Sequence, residues 1–185
     1  ISMTRSPSPP ASDEVLIVGN GIAGFMIGIE LLKLGFRCAL VDASHQQGRS
    51  TTLRNEGWLH HGTYHAVSQP THVDALKVTE RCLDGSAHIR RHYSAAFERT
   101  SDRSIALVHE SMDEDLVLDR WTICGVDHAP LTRAQASALL PELDLSTAAS
   151  AYRVHDQPIH TGNLLVLLRA HFARLGGVLI PGEVT

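Results

Sequence analysis

The hydrophobic positions near the start of the chain follow a strand pattern, then a helix pattern, then a strand pattern again. Residues 15–18 are a continuous run of branched apolar side chains, which is typical of a strand buried on both faces. Residues 22–34 favour a helix, and Gly35 is placed to end it. Residues 36–41 form a second apolar run that Asp42 closes. The pattern predicts a β-α-β unit whose first strand and helix are joined by a glycine-rich turn.

The middle of the chain is less regular and predicts a mixture of helices and strands. Residues 71–97 favour one or two helices with a break near Asp84–Gly85, and residues 104–109 favour a strand. Thr132 and Gln135 have the spacing of a capping box, in which each side chain bonds the backbone N–H of the other residue. A short helix is expected to begin there.

The two ends of the chain differ in character. Residues 1–12 are predicted to be a disordered arm, because they lack apolar periodicity and carry three prolines. At the other end, Thr161 is predicted to cap a helix over residues 162–175. Residues 178–180 are predicted to begin a further strand.

Composition and charge restrict the class of protein. The chain has 185 residues, is 43% hydrophobic and carries a net charge of -4 with scattered basic residues, which favours a globular protein and argues against nucleic-acid binding. The three cysteines are far apart, so neither a disulfide framework nor a zinc site is predicted, and a cytoplasmic location is expected. The apolar run of residues 15–29 is too short for a transmembrane helix. The histidines do not pair at metal-ligand spacing, so no metal is predicted.

Residues 19–24, Gly-Asn-Gly-Ile-Ala-Gly, match the G-x-G-x-x-G pattern between a strand and a helix. In this pattern Gly19 allows a tight turn, Gly21 lets the backbone approach a pyrophosphate at the helix N-terminus, and Gly24 lets helix and strand pack closely. Asp42 closes the next strand, where an acid accepts hydrogen bonds from a ribose and disfavours a 2′-phosphate. The pattern predicts dinucleotide binding and leaves FAD and NAD open. The alternative is that the glycines serve only a tight strand-to-helix connection.

The segment after the second strand decides between the two cofactors. Residues 48–67, Gly-Arg-Ser-Thr-Thr-Leu-Arg-Asn-Glu-Gly-Trp-Leu-His-His-Gly-Thr-Tyr-His-Ala-Val, resemble a loop of the D-amino-acid-oxidase-like superfamily of FAD enzymes. Within this superfamily the segment most resembles flavin-dependent glycerol-3-phosphate dehydrogenases and 2-hydroxyglutarate oxidoreductases. There, a small or hydroxyl residue followed by Arg-Asn-x-Gly-x-Leu/Ile-His-x-Gly wraps the flavin side of the cofactor. The matching positions are Thr52, Arg54, Asn55, Gly57, Leu59, His60 and Gly62.

The resemblance extends over residues 13–185 of the chain. Residues 131–142 are similar to a helix of the family, residues 151–160 to its substrate-domain strand and turn, and residues 161–185 to the elements that lead back to the cofactor domain. The substrate pocket is expected to differ from that of familiar members, because several positions depart from the pattern. These are Leu53, Glu56, His61 and His160, the last of which stands where an aspartate is common.

The resemblance implies FAD as the cofactor and a set of site residues. The predicted catalytic residues are His60 and Arg54. His60 would contact flavin or substrate, with covalent attachment to the flavin as an alternative. Arg54 would pair with an anionic substrate or with the FAD phosphates, its alternative being an ordinary loop salt bridge. The hydroxyl run at residues 50–52 would donate to the pyrophosphate, its alternative being an ordinary Ser/Thr-rich turn. The predicted cofactor-binding residues are Gly19, Gly21, Ile22, Ala23, Gly24, Asp42, Ala43, Ser50, Thr51, Thr52, Asn55, Gly57, Leu59, His60 and Val184.

These observations predict a doubly wound, Rossmann-like α/β FAD-binding domain over residues 13–67 and 160–185, interrupted at residues 68–159 by part of an α+β substrate domain. The expected function is that of an FAD-dependent oxidoreductase. It would move a hydride to flavin N5 from a C–H beside a hydroxyl or amine of an amino acid, hydroxy acid or polyol phosphate. The alternatives are an NAD-binding module and a non-catalytic FAD-binding subunit of a larger assembly. Because members of the superfamily usually run to twice this length, a missing C-terminal half or a partner chain is expected to complete the site.

Overall fold

The computed structural model describes residues 14–43, 51–55, 57–97 and 104–182. The chain divides into two compact units, one formed by residues 1–57 and 160–185 and the other by residues 58–159. Within the described residues, no helix is long and apolar enough to span a membrane. In chain order the elements are β1 (Glu14–Val18), α1 (Ile22–Lys33), β2 (Arg37–Asp42), a 3-10 turn (Thr51–Arg54), β3 (Trp58–Leu59), α2 (Thr63–Ser68), α3 (His72–His92), a second 3-10 turn (Ser94–Ala96), β4 (Ser104–His109), α4 (Glu114–Ile123), β5 (His128–Leu131), α5 (Arg133–Leu139), β6 (Ala148–Val154), β7 (Gln157–Pro158), α6 (Thr161–Arg174) and β8 (Val178–Pro181).

The first unit contains a three-stranded parallel sheet of order β1-β2-β8. Its second strand is an apolar run whose four central residues are buried, as the strand pattern predicts. The connecting helix α1 packs on one face of this sheet and against α6, where the ring of Phe172 meets Phe25 edge-to-face at 5.8 Å between centroids. The predicted β-α-β unit and the α/β fold class are confirmed.

The second unit is built on an antiparallel sheet of order β4-β6-β5. Alternate side chains of β6 enter two hydrophobic clusters: Tyr152 and Val154 pack with Trp121, whereas Ala151 packs with Ala136 of α5. The strand predicted over residues 104–109 is confirmed as β4, and the predicted capping box at the start of α5 is confirmed with both hydrogen bonds present.

A short helix, α2, is held at both ends by side chains of α4. The indole N–H of Trp121 donates to the carbonyl of Thr63 at 2.9 Å, at the first residue of α2. The buried guanidinium of Arg120 donates to the carbonyl of Gln69 at 2.8 Å, immediately after the last residue of α2. Together with the packing of α2 on α3, these contacts place residues 58–67 in the second unit.

Two predictions about helix boundaries are wrong. The helix α3 runs unbroken through Asp84–Gly85, because its buried side chains continue along one face on both sides of that position. The helix α6 begins at Thr161 and is capped by His160, whose Nδ1 accepts a hydrogen bond from the N–H of Asn163 at 3.3 Å. The imidazole nitrogen thus provides the acceptor that a carboxylate oxygen commonly provides at a helix N-cap.

Candidate functional site

The glycine-rich turn between β1 and α1 is tightly folded. Gly19 has φ +106°, a left-handed conformation that glycine adopts without a steric penalty, and its N–H donates to the carbonyl of Val41 at 2.7 Å. A Cβ at Gly24 would lie 2.0 Å from the carbonyl oxygen of Gly19. The first turn of α1 therefore rests directly on the backbone of the turn, and no side chain fits between them.

One side-chain hydroxyl meets the N-terminus of α1. Gly21 is the N-cap and provides no side-chain acceptor. Instead, the Oγ1 of Thr52 lies 3.5 Å from the backbone nitrogen of Ile22 and accepts its hydrogen bond. The unpaired N–H groups at a helix N-terminus carry a partial positive charge and favour an anion. The structure therefore brings a hydroxyl from 30 residues away to a position suited to bind an anionic group.

The carboxylate of Asp42 completes this corner of the first unit. Its Oδ2 accepts a hydrogen bond from the backbone N–H of Asn20 at 2.9 Å, so the acid at the end of β2 is tied to the glycine turn. Asn20 was not among the residues singled out from the sequence, because a backbone donor leaves no signal in side-chain identity. The predicted site residues that the structure brings together here are Gly19, Gly21, Ile22, Ala23, Gly24, Asp42 and Thr52.

The remaining predicted residues either have the positions given next or fall outside the described residues. Ala43, Arg54 and Asn55 are exposed, and the Oδ1 of Asn55 accepts a hydrogen bond from the N–H of Gly57 at 3.0 Å. Thr51 begins the first 3-10 turn. Leu59 and His60 belong to the second unit. The predicted residues outside the described part of the chain are Ser50 and Val184.

His60 lies between β3 and α2 in the second unit. It is half-buried, and its ring packs edge-to-face against the ring of His65 with 5.1 Å between centroids. Gly62, two residues later, is the N-cap of α2 and has φ +91°. The segment leaving His60 therefore turns sharply into the helix.

A polar cluster that the sequence did not predict forms around His61, the residue after His60. Asp156 is only 5% exposed, and its Oδ1 accepts a hydrogen bond from the backbone N–H of His61. The ring of His61 lies with its Nδ1 3.2 Å from the Oγ of Ser86, and Arg90 donates to the same Oγ at 3.3 Å. His61 and Asp156 are 95 positions apart, so no local pattern could have paired them.

Burial lowers the pKa of His61, and the positive charges of Arg90 and His155 lower it further, whereas Asp156 and Asp127 oppose these effects more weakly. The unfolded chain then binds a proton at this position near pH 6.5, and the folded protein binds it only at lower pH. We therefore expect the free energy of unfolding to fall as the pH drops below neutrality, until the lower pKa is passed. Urea denaturation on either side of this range would measure the change.

His61→Gln is the matched control for this pH dependence. Glutamine is neutral throughout the range and can still hydrogen-bond the Oγ of Ser86. The slope of stability against pH should be smaller in this variant than in the unmodified protein. Identical slopes would contradict the assignment of the titration to His61.

No group of three or more histidine, cysteine, aspartate or glutamate side chains within the described ranges could hold a metal ion.

Comparisons with known proteins give one family match and many structural matches. The family model described as "FAD dependent oxidoreductase", DAO, matches residues 14–185. No curated protein matches the chain. Among solved structures, L-proline dehydrogenase from P. horikoshii is 18% identical with a TM-score of 0.72 over 95% of this chain and 46% of its own.

Two further structures have the same fold. The dithionite-reduced L-α-glycerophosphate oxidase from Mycoplasma pneumoniae, with FAD bound, is 16% identical with a TM-score of 0.71 over 91% of this chain and 44% of its own. Glycine oxidase from Geobacillus kaustophilus is 23% identical with a TM-score of 0.65 over 91% of this chain and 46% of its own. The chain therefore spans less than half the length of these structures, and at these identities the likeness concerns the fold.

Proposed function

The chain belongs to the DAO family of FAD-dependent oxidoreductases, in agreement with the resemblance of residues 48–67, and we propose that it holds FAD at the N-terminus of α1 and oxidises a small substrate. The observation that carries this proposal is the N-terminus of α1, where Gly21 is the N-cap and the hydroxyl of Thr52 lies beside the N–H of Ile22. When bound, FAD supplies the hydride acceptor, flavin N5, for a substrate C–H beside a hydroxyl or amine.

The residues of the first unit fit the polar half of this cofactor. The backbone N–H groups that begin α1 would donate to the pyrophosphate, and Thr52 would turn its hydroxyl from accepting to donating. The space before Gly21 is limited, since a Cβ there would already lie 3.2 Å from the Oγ1 of Thr52. Asp42 stands at the end of β2, where its carboxylate would accept a hydrogen bond from a ribose hydroxyl.

The residues proposed to act on the substrate are His60 and Arg54. The half-buried imidazole of His60 would hold or accept a proton of the substrate hydroxyl or amine, and Arg54 would pair with an anionic group of the substrate. Amino acids, hydroxy acids and polyol phosphates all offer such an anionic group. These three classes are therefore the proposed substrates.

Replacing Asp42 by alanine is expected to weaken FAD binding by about 1.5 to 3 kcal/mol, roughly 10- to 150-fold in Kd, as for a lost hydrogen bond to a charged group. Titration of the flavin-free protein with FAD, followed by flavin fluorescence, measures this change. Glu30→Ala removes another carboxylate of the same unit, on the exposed side of α1, and should leave the affinity unchanged. Equal affinities in Asp42→Ala and Glu30→Ala would contradict the ribose contact.

The visible spectrum of the purified protein tests the proposed function as a whole. Flavin absorbance would support FAD binding and eliminate an NAD-binding module. Bleaching of that absorbance by a 2-hydroxy acid, glycerol 3-phosphate or a secondary amino acid would support catalysis. Bound FAD that none of these compounds reduces would instead indicate a non-catalytic FAD-binding subunit.

The role of His60 is tested separately from FAD binding. His60→Ala should retain FAD and slow its reduction by substrate, whereas His72→Ala, at an exposed position of α3, should reduce FAD at the unmodified rate. Complete loss of flavin from His60→Ala would point to a binding role instead.

One face of the parallel sheet carries exposed apolar side chains. The register places Leu16 and Val18 of β1 on the same face as Val178 and Ile180 of β8. These four side chains are 56%, 67%, 55% and 42% exposed, an apolar area of a kind that seldom faces water in a monomer. We propose that a further part of the same polypeptide covers this face.

The mass of the protein purified from its natural source tests what covers the sheet. A chain longer than 20.1 kDa would support the proposal, and a separate companion chain would assign the face to a partner instead. A lone 20.1 kDa species that binds FAD stoichiometrically and turns over substrate would contradict both.

A further inference from the structure

We infer that Asp156 is a positioning residue, which fixes the backbone immediately after His60 through the N–H of His61. This inference rests on the role proposed for His60. Four sets of contacts, all within the second unit, carry it.

The backbone around Asp156 is itself held firmly. The Oγ of Ser104, at the start of β4, donates to the carbonyl of Asp156 at 2.6 Å. The guanidinium of Arg90 donates to the carbonyl of His155 at 3.0 Å. Two successive carbonyls just beyond the end of β6 are therefore tied to two other elements, and the carboxylate of Asp156 projects from a fixed point.

The buried carboxylate of Asp156 takes its hydrogen bond from the backbone of His61. At 5% exposure it is shielded from water, and the one hydrogen bond that it accepts within the described part of the chain comes from the backbone N–H of His61. A buried carboxylate without a donor is costly, and hydrogen bonds to charged groups are stronger than those between neutral groups. The pairing is therefore favoured over alternatives in which the segment of His61 moves away.

Leu59, the residue before His60, is held by the residue that follows Asp156. Leu59 pairs with Gln157 in the antiparallel ladder of β3 and β7, next to Asp156. His60 is thus bracketed by a backbone pairing at position 59 and a carboxylate contact at position 61. While both contacts persist, they restrain the backbone position of His60 from both sides.

The side chain of His61 is held independently of this contact. Its Nδ1 meets the Oγ of Ser86, whereas Asp156 bonds only its backbone. The carboxylate therefore holds the main chain, which carries the imidazole of His60, through a hydrogen bond to the backbone and not through one to the imidazole of His61. Displacing a catalytic group by about 1 Å can cost on the order of 100-fold in rate.

The test compares Asp156→Ala with Asp156→Asn in the purified, FAD-loaded protein. The asparagine keeps an oxygen acceptor for the N–H of His61, and the alanine does not. We expect Asp156→Ala to lower the rate constant of flavin reduction about 10- to 100-fold, with a smaller change in KM, and Asp156→Asn to restore most of the loss. Equal reduction rates in Asp156→Ala and the unmodified protein would overturn the inference.

Asp144→Ala is the matched control. Like Asp156, Asp144 accepts a hydrogen bond from a backbone N–H, that of Ser146 at 2.8 Å, but it lies at an exposed turn of the same unit. It should reduce flavin at the unmodified rate. Should Asp156→Ala fail to fold, Asp156→Glu takes its place, since the extra methylene displaces the acceptor oxygens. A rate for Asp156→Glu equal to that of Asp156→Asn would then overturn the inference.

A double-mutant comparison separates positioning from general stability. If Asp156 acts through His60, Asp156→Ala should slow flavin reduction no further in a protein that already carries His60→Ala. Multiplying effects would overturn the inference.

Amide hydrogen exchange at His61 separates failure of this inference from failure of the proposed function. Exchange should be at least about 10-fold faster in Asp156→Ala than in Asp156→Asn, whether or not any substrate reduces the flavin. Unchanged exchange would overturn the positioning role alone. Faster exchange in a protein that no substrate reduces would leave the structural contact standing and refute the proposed function instead.

Discussion

Gly21→Val is expected to give a folded protein that has lost its FAD. Gly21 has φ -72° and ψ -177°, an extended backbone that valine adopts without strain, so the fold should tolerate the substitution. A Cβ at this position would lie 3.2 Å from the Oγ1 of Thr52, and the two additional methyl groups of valine would occupy the space before the first N–H groups of α1. That space is where the pyrophosphate is proposed to bind.

The expected weakening is about 5- to 150-fold in Kd, by the usual cost of about 1 to 3 kcal/mol for a side chain forced into occupied space. The ratio of flavin to protein absorbance after purification measures retention, and circular dichroism reports on the fold. Gly85→Val is the matched control, because a Cβ at Gly85 meets no atom within 4 Å and the position lies in the second unit. Full retention of FAD by Gly21→Val would refute the proposed location of the pyrophosphate.

The part of the proposed FAD site that the glycine turn and Asp42 form could be predicted from the sequence, because its signals are local. The apolar run of β1, the glycines and Asp42 all lie within 29 residues, from Glu14 to Asp42, and each acts on its immediate neighbours. The approach of Thr52 to α1 is different. Its hydroxyl belongs to a separate segment of the chain, and only the resemblance of residues 48–67 to a known loop predicted that Thr52 takes part in the site.

Where prediction failed, tertiary contacts outweighed local preference. Gly85 favours a break in an isolated helix, at a cost of about 1 kcal/mol relative to alanine. In α3 the buried Thr79 lies on one side of Gly85, and the buried Ser86 and Ile89 lie on the other. Burial of this continuous face offsets the cost, so the helix persists. The pairing of Asp156 with His61 could not be predicted for a related reason, since a contact between residues 95 positions apart has no sequence period.

The second large effect is expected at Gly62, the N-cap of α2. Its φ of +91° lies in the left-handed region, which costs an L-residue about 1 to 2 kcal/mol. A Cβ there would also lie 2.4 Å from the Cγ2 of Thr79 and 3.3 Å from a methyl group of Val126. Both neighbours are buried in close-packed surroundings, so neither has space to move aside without displacing other side chains. Gly62→Ala should therefore lower the free energy of unfolding by about 2 to 5 kcal/mol.

Thr79→Ala separates the two causes of this loss. It removes the Cγ2 that obstructs Gly62→Ala, together with a buried hydroxyl that has no hydrogen-bond partner among the described residues. In the double variant the overpacking should vanish and the backbone strain should remain, so urea denaturation should give a coupling energy of about 1 to 3 kcal/mol. Gly85→Ala makes the same substitution at an open helical position and should instead raise stability by about 0.5 to 1 kcal/mol. Additive effects of Gly62→Ala and Thr79→Ala would mean that strain alone, and not the contact with α3, requires glycine two residues after His60.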